Sequence, residues 1–214
     1  MASLEDLQNQ LETALTAADV SAVKEVRESI TLYYPEEAGS AESWYKLGLQ
    51  SLFVTRDFDD AVSKFEAASK CKHPYWSAAA RTSWGLCLYR LGKSQKAFFE
   101  LRKVAYPEEP TAHSITSLAF MEALLVQEGR SDEVVRVRKD RIGQLEVMLK
   151  KGLYETPADQ CHYLYLLGLA YKDAGQLDSA KRVLLQAESM GPDVCGAFQH
   201  RELLMLLESL KSVE

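Results

Sequence analysis

The stretch Leu166–Pro192, LLGLAYKDAGQLDSAKRVLLQAESMGP, holds three glycines and four alanines, several of them inside segments that otherwise ask to be helical. Apolar residues recur three and four positions apart on either side of Ala174-Gly175, which predicts a helix, a tight turn and a second helix ended by Pro192. Glycine inside a helix costs about 1 kcal/mol relative to alanine. A sequence that keeps Gly168 in the first helix therefore uses the missing side chain, and the close approach of another helix is the use its position suggests. The spacing is helical and does not form the GxGxxG of a phosphate-binding loop.

Comparing the chain with itself extends that reading. The landmarks Leu164, Leu167-Gly168, Tyr171, Gly175, Ala180, Leu184 and Ala187, which end on Pro192, are matched up to Ala187 at the same spacings by Arg81, Trp84-Gly85, Leu88, Gly92, Ala97, Leu101 and Val104. A further copy runs through Trp44, Leu47-Gly48, Ala61, Phe65 and Ala68, with Ser51 at the Tyr171 position and one extra residue in its turn. Two weaker copies lie around Gly129, with Leu118, Met121, Leu125 and Val134, and around Val23. The small residues Val23, Ala61, Ala97, Val134 and Ala180 follow one another at 38, 36, 37 and 46 residues, and YPEE occurs twice, 72 residues apart.

These landmarks resemble the tetratricopeptide repeat (TPR), a helical hairpin of 34 residues, with Leu164 standing where that family usually has tryptophan and Ser51 where it has tyrosine. The resemblance implies an all-α fold, an α-α superhelix of about five helical hairpins with a C-terminal capping helix, because a single hairpin cannot bury its apolar face without a neighbour. The expected divisions of one domain, 1–214, are a degenerate N-terminal hairpin 3–35, repeats 41–73, 77–107, 112–152 and 158–191, and a capping helix 193–212. Pro35, Pro74, Pro107, Pro110, Pro157 and Pro192 fall where hairpins should be joined, since proline removes a donor and clashes with the preceding turn. In the last segment Phe198, Leu203, Leu206, Leu207 and Leu210 come to one side, as a cap over the final repeat requires.

Composition sets limits on partners. The chain of 214 residues has a net charge of −6, and a sequence pI near 5.4 argues against a general binder of nucleic acid or anionic membranes. The opening MASLEDLQNQLETAL is acidic and amphipathic, so neither a secretory signal nor direct membrane insertion is expected. Cys71, Cys87, Cys161 and Cys195 are scattered without a CxxC pair, which suggests reduced thiols and a cytoplasmic protein. Cys71-Lys72-His73, Cys161-His162 and Cys195 with His200 put thiols near imidazoles, yet none has zinc-ligand spacing or an evident orienting partner for a nucleophile. No P-loop, dinucleotide fingerprint or metalloprotease motif occurs. The expectation is a non-enzyme without cofactor or metal.

The resemblance also implies which residues face the concave groove formed by the first helix of each repeat. They are Tyr45, Leu49, Thr82, Leu86, Ala119, Ala123, Tyr165 and Leu169, with Phe53, Tyr89, Phe120 and Lys172 beside them. This apolar and aromatic set suits an amphipathic helix or apolar peptide. It lacks the lysines and asparagines with which chaperone-binding members hold a C-terminal carboxylate. The same residues would instead be core if a neighbouring repeat or the C-terminal helix closed over them.

One region departs from the pattern. DEVVRVRKDRIGQLEVMLKKG, from Asp132, makes a longer second helix and puts Arg138 and Arg141 where the family has an aromatic and an alanine. Either the helix turns Val135, Ile142, Leu145 and Leu149 inward, or the arginines snorkel or pair with carboxylates. Arg136, Arg138, Lys139 and Arg141 form a secondary basic cluster that is either a solvated face or a contact for an acidic partner. The function expected is a protein-binding adaptor or scaffold; the alternative is a self-associating structural protein of a larger assembly, and an enzyme would need a cysteine, a histidine and a carboxylate gathered in one pocket.

Overall fold

The computed structural model describes residues 3–17, 19–34, 38–71 and 73–211, and among them there are helices and turns and no strand. Pro35, Lys72, the side chain of Phe198 and residue 212 lie outside the described positions. The internal contacts gather into two units, Met1–Val104 and Ala105–Glu214.

In the first unit α1 (Leu4–Thr16) pairs with α2 (Val20–Tyr33), and α3 (Ala38–Gln50) runs on through a π-helical turn (Ser51–Thr55) before α4 (Phe58–Lys70). The third hairpin is α5 (Pro74–Arg90) and α6 (Ser94–Ala105). The hairpins stack, with α2 against α3 and α5 against both α3 and α4. In the second unit α7 (Ala112–Gln127) pairs with α8 (Ser131–Lys151), and α9 (Pro157–Asp173) with α10 (Leu177–Glu188). The four-residue α11 (Pro192–Cys195) lies against α9, and α12 (Ala197–Lys211) lies against α10. This is the all-α arrangement of five hairpins and a terminal helix, with Leu203, Leu206, Leu207 and Leu210 of α12 buried as a cap requires.

Local chemistry explains where the helices begin and end. At α9, Thr156 Oγ1 accepts from the Asp159 amide at 3.2 Å and Asp159 Oδ2 accepts from the Thr156 amide at 2.9 Å, a reciprocal cap that satisfies two orphan donors. Hydrogen bonds from Thr156 hold the Asp159 carboxyl below the usual carboxylate range. Pro157 follows at the first helical position, where its missing N–H is no loss. Pro74 and Pro192 do the same for α5 and α11, and Pro107 and Pro110 lie between α6 and α7. The turn between α9 and α10 passes through Gly175 at φ 73°, a left-handed conformation that costs glycine nothing.

The packing question posed by Gly168 has a direct answer. A Cβ built there would stand 2.5 Å from Cγ and Cδ2 of Leu184 on α10. Gly85 stands in the same relation to Leu101, at 2.5 Å, and Gly48 to Phe65, at 2.6 Å. Leu184, Leu101 and Phe65 are themselves fully buried. One large side chain of the second helix thus lies flat on the bare backbone of the first in three hairpins, and each such burial contributes roughly 1.5–3 kcal/mol.

The fourth hairpin solves the same position differently. Glu122 stands where the glycines stand and Arg138 where Phe65, Leu101 and Leu184 stand. Arg138 Nε donates to Glu122 Oε1 at 2.7 Å, and Arg141 Nη2 lies 3.1 Å from Glu122 Oε2 and 3.7 Å from Asp173 Oδ2. The side chains of Glu122, Arg141 and Arg138 are 8%, 13% and 18% exposed. Arg138 also donates to the carbonyl of Asp173. The rotation of α8 left open by the sequence is only partial. Ile142 and Leu145 face inward, joined by Val134, Val137 and Met148, while Val135 faces solvent.

These contacts make opposite predictions for two mid-helix glycines. Gly168→Ala should destabilise the protein by about 1–3 kcal/mol through overpacking against Leu184, in spite of the helix propensity gained. Gly143, in α8, has nothing within 4 Å of a built Cβ, so Gly143→Ala should stabilise by about 0.5–1 kcal/mol. Denaturant unfolding of both variants checks the signs. Glu122→Ala should cost about 3–5 kcal/mol, because Arg138 loses its carboxylate and Arg141 keeps the more distant Asp173 at 3.7 Å. Pairing Glu122→Gly with Arg138→Leu restores the glycine-leucine contact of the other hairpins, and that double variant should unfold at higher denaturant than Glu122→Ala.

Candidate protein-interaction surface

The surface is built on α3 and α5, whose axes lie directly against each other in the first unit. Tyr45, Leu49 and Phe53 are spaced by four along α3 and its π-helical extension, so they form one row. Tyr45 and Leu49 are half-buried. The Tyr45 ring sits 5.7 Å from Phe65 and 5.4 Å from Trp76, which fixes it between α4 and α5. Leu86 and Tyr89 on α5 are half-buried. Thr82, expected at the groove, is buried, and its hydroxyl donates to the Ala78 carbonyl at 3.0 Å within its own helix.

Phe53 is different in kind. It is 68% exposed and its neighbour Val54 is 74% exposed, the two most exposed large apolar side chains among the described residues. The cause is local. The extra residue in this turn is absorbed as a π-helical turn, which ends at Arg56 with φ 56°, a left-handed conformation at a residue other than glycine. Beneath the turn the buried Ser51 hydroxyl donates to Asp60, and Lys64 Nζ reaches the same carboxylate at 2.7 Å. These partners, Lys64 first and Ser51 second, hold Asp60 below the usual carboxylate range. Val54 was not among the expected groove residues. The extra residue and Ser51 in place of tyrosine were the sequence signals of its altered turn.

In the second unit Phe120 on α7 is half-buried and Lys172 on α9 is exposed. Tyr165 and Leu169 on α9 are half-buried and pack against the core of their unit. Burial, and then the Glu202 carboxylate of α12, push the Tyr165 phenol above its ordinary value. Part of the α9 face therefore looks toward the C-terminal helix. The four basic residues of α8 divide: Arg136 and Lys139 are exposed, while Arg138 and Arg141 are turned into the carboxylate pairs described above. They do not form one solvated basic face.

The cysteines depart from expectation as well. Cys161 and Cys195 are joined by a disulfide with Cα atoms 5.6 Å apart, in place of two reduced thiols. Cys71 and Cys87 are buried, and burial pushes the Cys87 thiol up to about 11, far from a reactive thiolate. Burial also lowers the His113 imidazole below its ordinary value. No group of three or more metal-ligating side chains is gathered among the described residues, and no described helix is long and apolar enough to cross a membrane.

No family model and no curated protein matches the sequence. Solved structures do match its fold. The chain is similar to BtubC (BKLC) from P. vanneervenii, with a TM-score of 0.56 and 14% identity over 90% of this chain and 81% of that one. It is also similar to the nearly identical TPR-like repeats of a putative kinesin light chain from Podosopora anserina, with a TM-score of 0.51 and 16% identity over 90% of this chain and 98% of that one. At these identities the likeness speaks for the fold, and it meets the repeat landmarks read from the sequence: the chain has a TPR-like all-α fold.

Proposed function

We propose that this protein is a non-catalytic adaptor or scaffold that binds a helical or apolar segment of a partner protein on the first helices of its hairpins, with the α3–α5 face as the principal contact. One observation carries the reading: Phe53 and Val54 stand in solvent at the end of a row begun by the half-buried Tyr45 and Leu49. Such apolar exposure costs free energy in a lone molecule and is recovered when a partner covers it. The row is spaced to meet apolar residues on an amphipathic helix, and Leu86 and Tyr89 widen it on α5. Aromatic anchors bury large areas with few rotatable bonds, which makes them disproportionate contributors to affinity. On the second unit Phe120, Leu169 and Lys172 offer a smaller contact, with Tyr165 partly committed to its own core.

The test uses the full chain as bait in an extract of its native source, with captured proteins identified by mass spectrometry and their affinity then measured directly. Phe53→Ala should weaken binding at least about tenfold while leaving the circular dichroism spectrum unchanged, because Phe53 supports no core. Binding should also survive 1 M salt, where the Debye length falls to about 3 Å. Unchanged affinity in Phe53→Ala, or dissociation by salt alone, would refute the reading in favour of a charged contact such as Arg136 and Lys139.

A further inference from the structure

The disulfide lies outside the surface just described, and its placement carries a separate inference. Cys161 sits near the start of α9 and Cys195 is the last residue of α11, 34 residues on, which is one repeat period. The two cysteines thus occupy the same rung of successive repeats, and α11 with α12 stands where the first helix of another hairpin would begin. The bond ties that terminal segment to α9. Cys161 is fully buried and Cys195 nearly so.

Two features beside the bond describe what it restrains. The four residues of α11 hang between Gly191 at φ 79° and Gly196 at φ 76°, so the segment is flanked by two joints whose conformation only glycine adopts freely. Beyond the second joint, α12 has Leu203, Leu206, Leu207 and Leu210 buried and lies against α10. Both sulfurs also sit against the Ala187 carbonyl of α10, Cys195 Sγ at 3.3 Å and Cys161 Sγ at 3.8 Å. If the bond is opened, each thiol finds an acceptor already in place, so the α9–α10 hairpin has no stranded donor to expel.

We propose that Cys161–Cys195 is a redox-controlled clasp: closed, it holds α12 over the α9–α10 hairpin, and a dithiol reductant loosens α12 while the hairpin stays folded. The exchange balances without any further reagent. A thiolate of the reductant attacks Cys195 Sγ, a mixed disulfide forms, and Cys161 leaves as a thiolate that takes up a proton. The second thiol of the reductant then attacks the mixed disulfide, Cys195 leaves and is protonated, and the reductant departs as its cyclic disulfide, having given up two electrons and two protons. The exchange uses only the two sulfurs of this bond and the two of the reductant, so Cys71 and Cys87 are not needed for it.

The experiment is hydrogen exchange followed by mass spectrometry on the full chain, first oxidised with glutathione disulfide and then treated with dithiothreitol. Amides of residues 197–211 should exchange at least about tenfold faster after reduction, while those of 157–188 change by less than about twofold. Reoxidation should restore the protection. Cys195→Ser should exchange like the reduced protein and be indifferent to dithiothreitol; the oxidised and reduced wild type supply the comparison by themselves if that variant does not fold. Three results would overturn the proposal: equal protection of α12 in both states, loss of protection spreading through α9 and α10 on reduction, or alkylation of Cys161 and Cys195 in the denatured protein after the oxidative step.

Discussion

The arrangement depends on a contact between a backbone and a side chain. Where Gly48, Gly85 and Gly168 leave the first helix bare, Phe65, Leu101 and Leu184 lie on it, with no room for even a methyl group between. Interiors are packed as tightly as organic crystals, so the spacing of the two helices is set by the thickness of that one side chain. The fully buried Ala61, Ala97 and Ala180, four residues earlier on each second helix, belong to the same interface. A hairpin held this closely presents an even face to the next one, which is what stacking requires.

Much of this was legible because several signals agreed. Gly168 broke a helix propensity rule, and the same break recurred at the equivalent positions Gly85 and Gly48 of two other repeats, so its explanation had to be a repeated contact. The charged hairpin was less legible. Arg138 was recognisable as misplaced, but its carboxylate became evident only when Glu122 was seen to occupy the glycine position, and sequence spacing alone left solvation, snorkelling and pairing open. The disulfide was missed for a different reason. Cys161 and Cys195 have no local pairing signature, and only the repeat brings positions 34 apart onto neighbouring rungs. Thr82 shows the limit of carrying a groove over from a resemblance, since its place in the helix was right and its exposure was not.

The C-terminal end illustrates how much a terminal helix does in such a fold. Without α12 the leucines it buries would be lost from the core, together with the shelter it gives α10. Apolar burial, two glycine joints and one covalent bond act on the same segment. Burial is graded and yields to thermal opening, whereas the bond is either present or absent. A segment restrained by both kinds of force is the place where a change in chemistry is most readily converted into a change in motion.

The second and fourth hairpins depart from the repeat with opposite consequences. In the fourth, the exchange of a glycine-leucine contact for Glu122 and Arg138 is repaired within the fold, because the charges meet each other, Arg141 and Asp173 at bonding distance. That repair also ties the hairpin to the end of α9 through Asp173. In the second, the extra residue is accommodated by a π-helical turn, and the buried Ser51 and the half-buried Asp60 and Lys64 satisfy one another beside it. The side chains the turn displaces are not repaired: Phe53 and Val54 are left facing water. Departures from local consistency that the protein does not compensate internally are the ones that ask for something outside it. By that criterion the second hairpin is where a partner is to be sought, and the fourth is where the protein has merely found another way to hold two helices together.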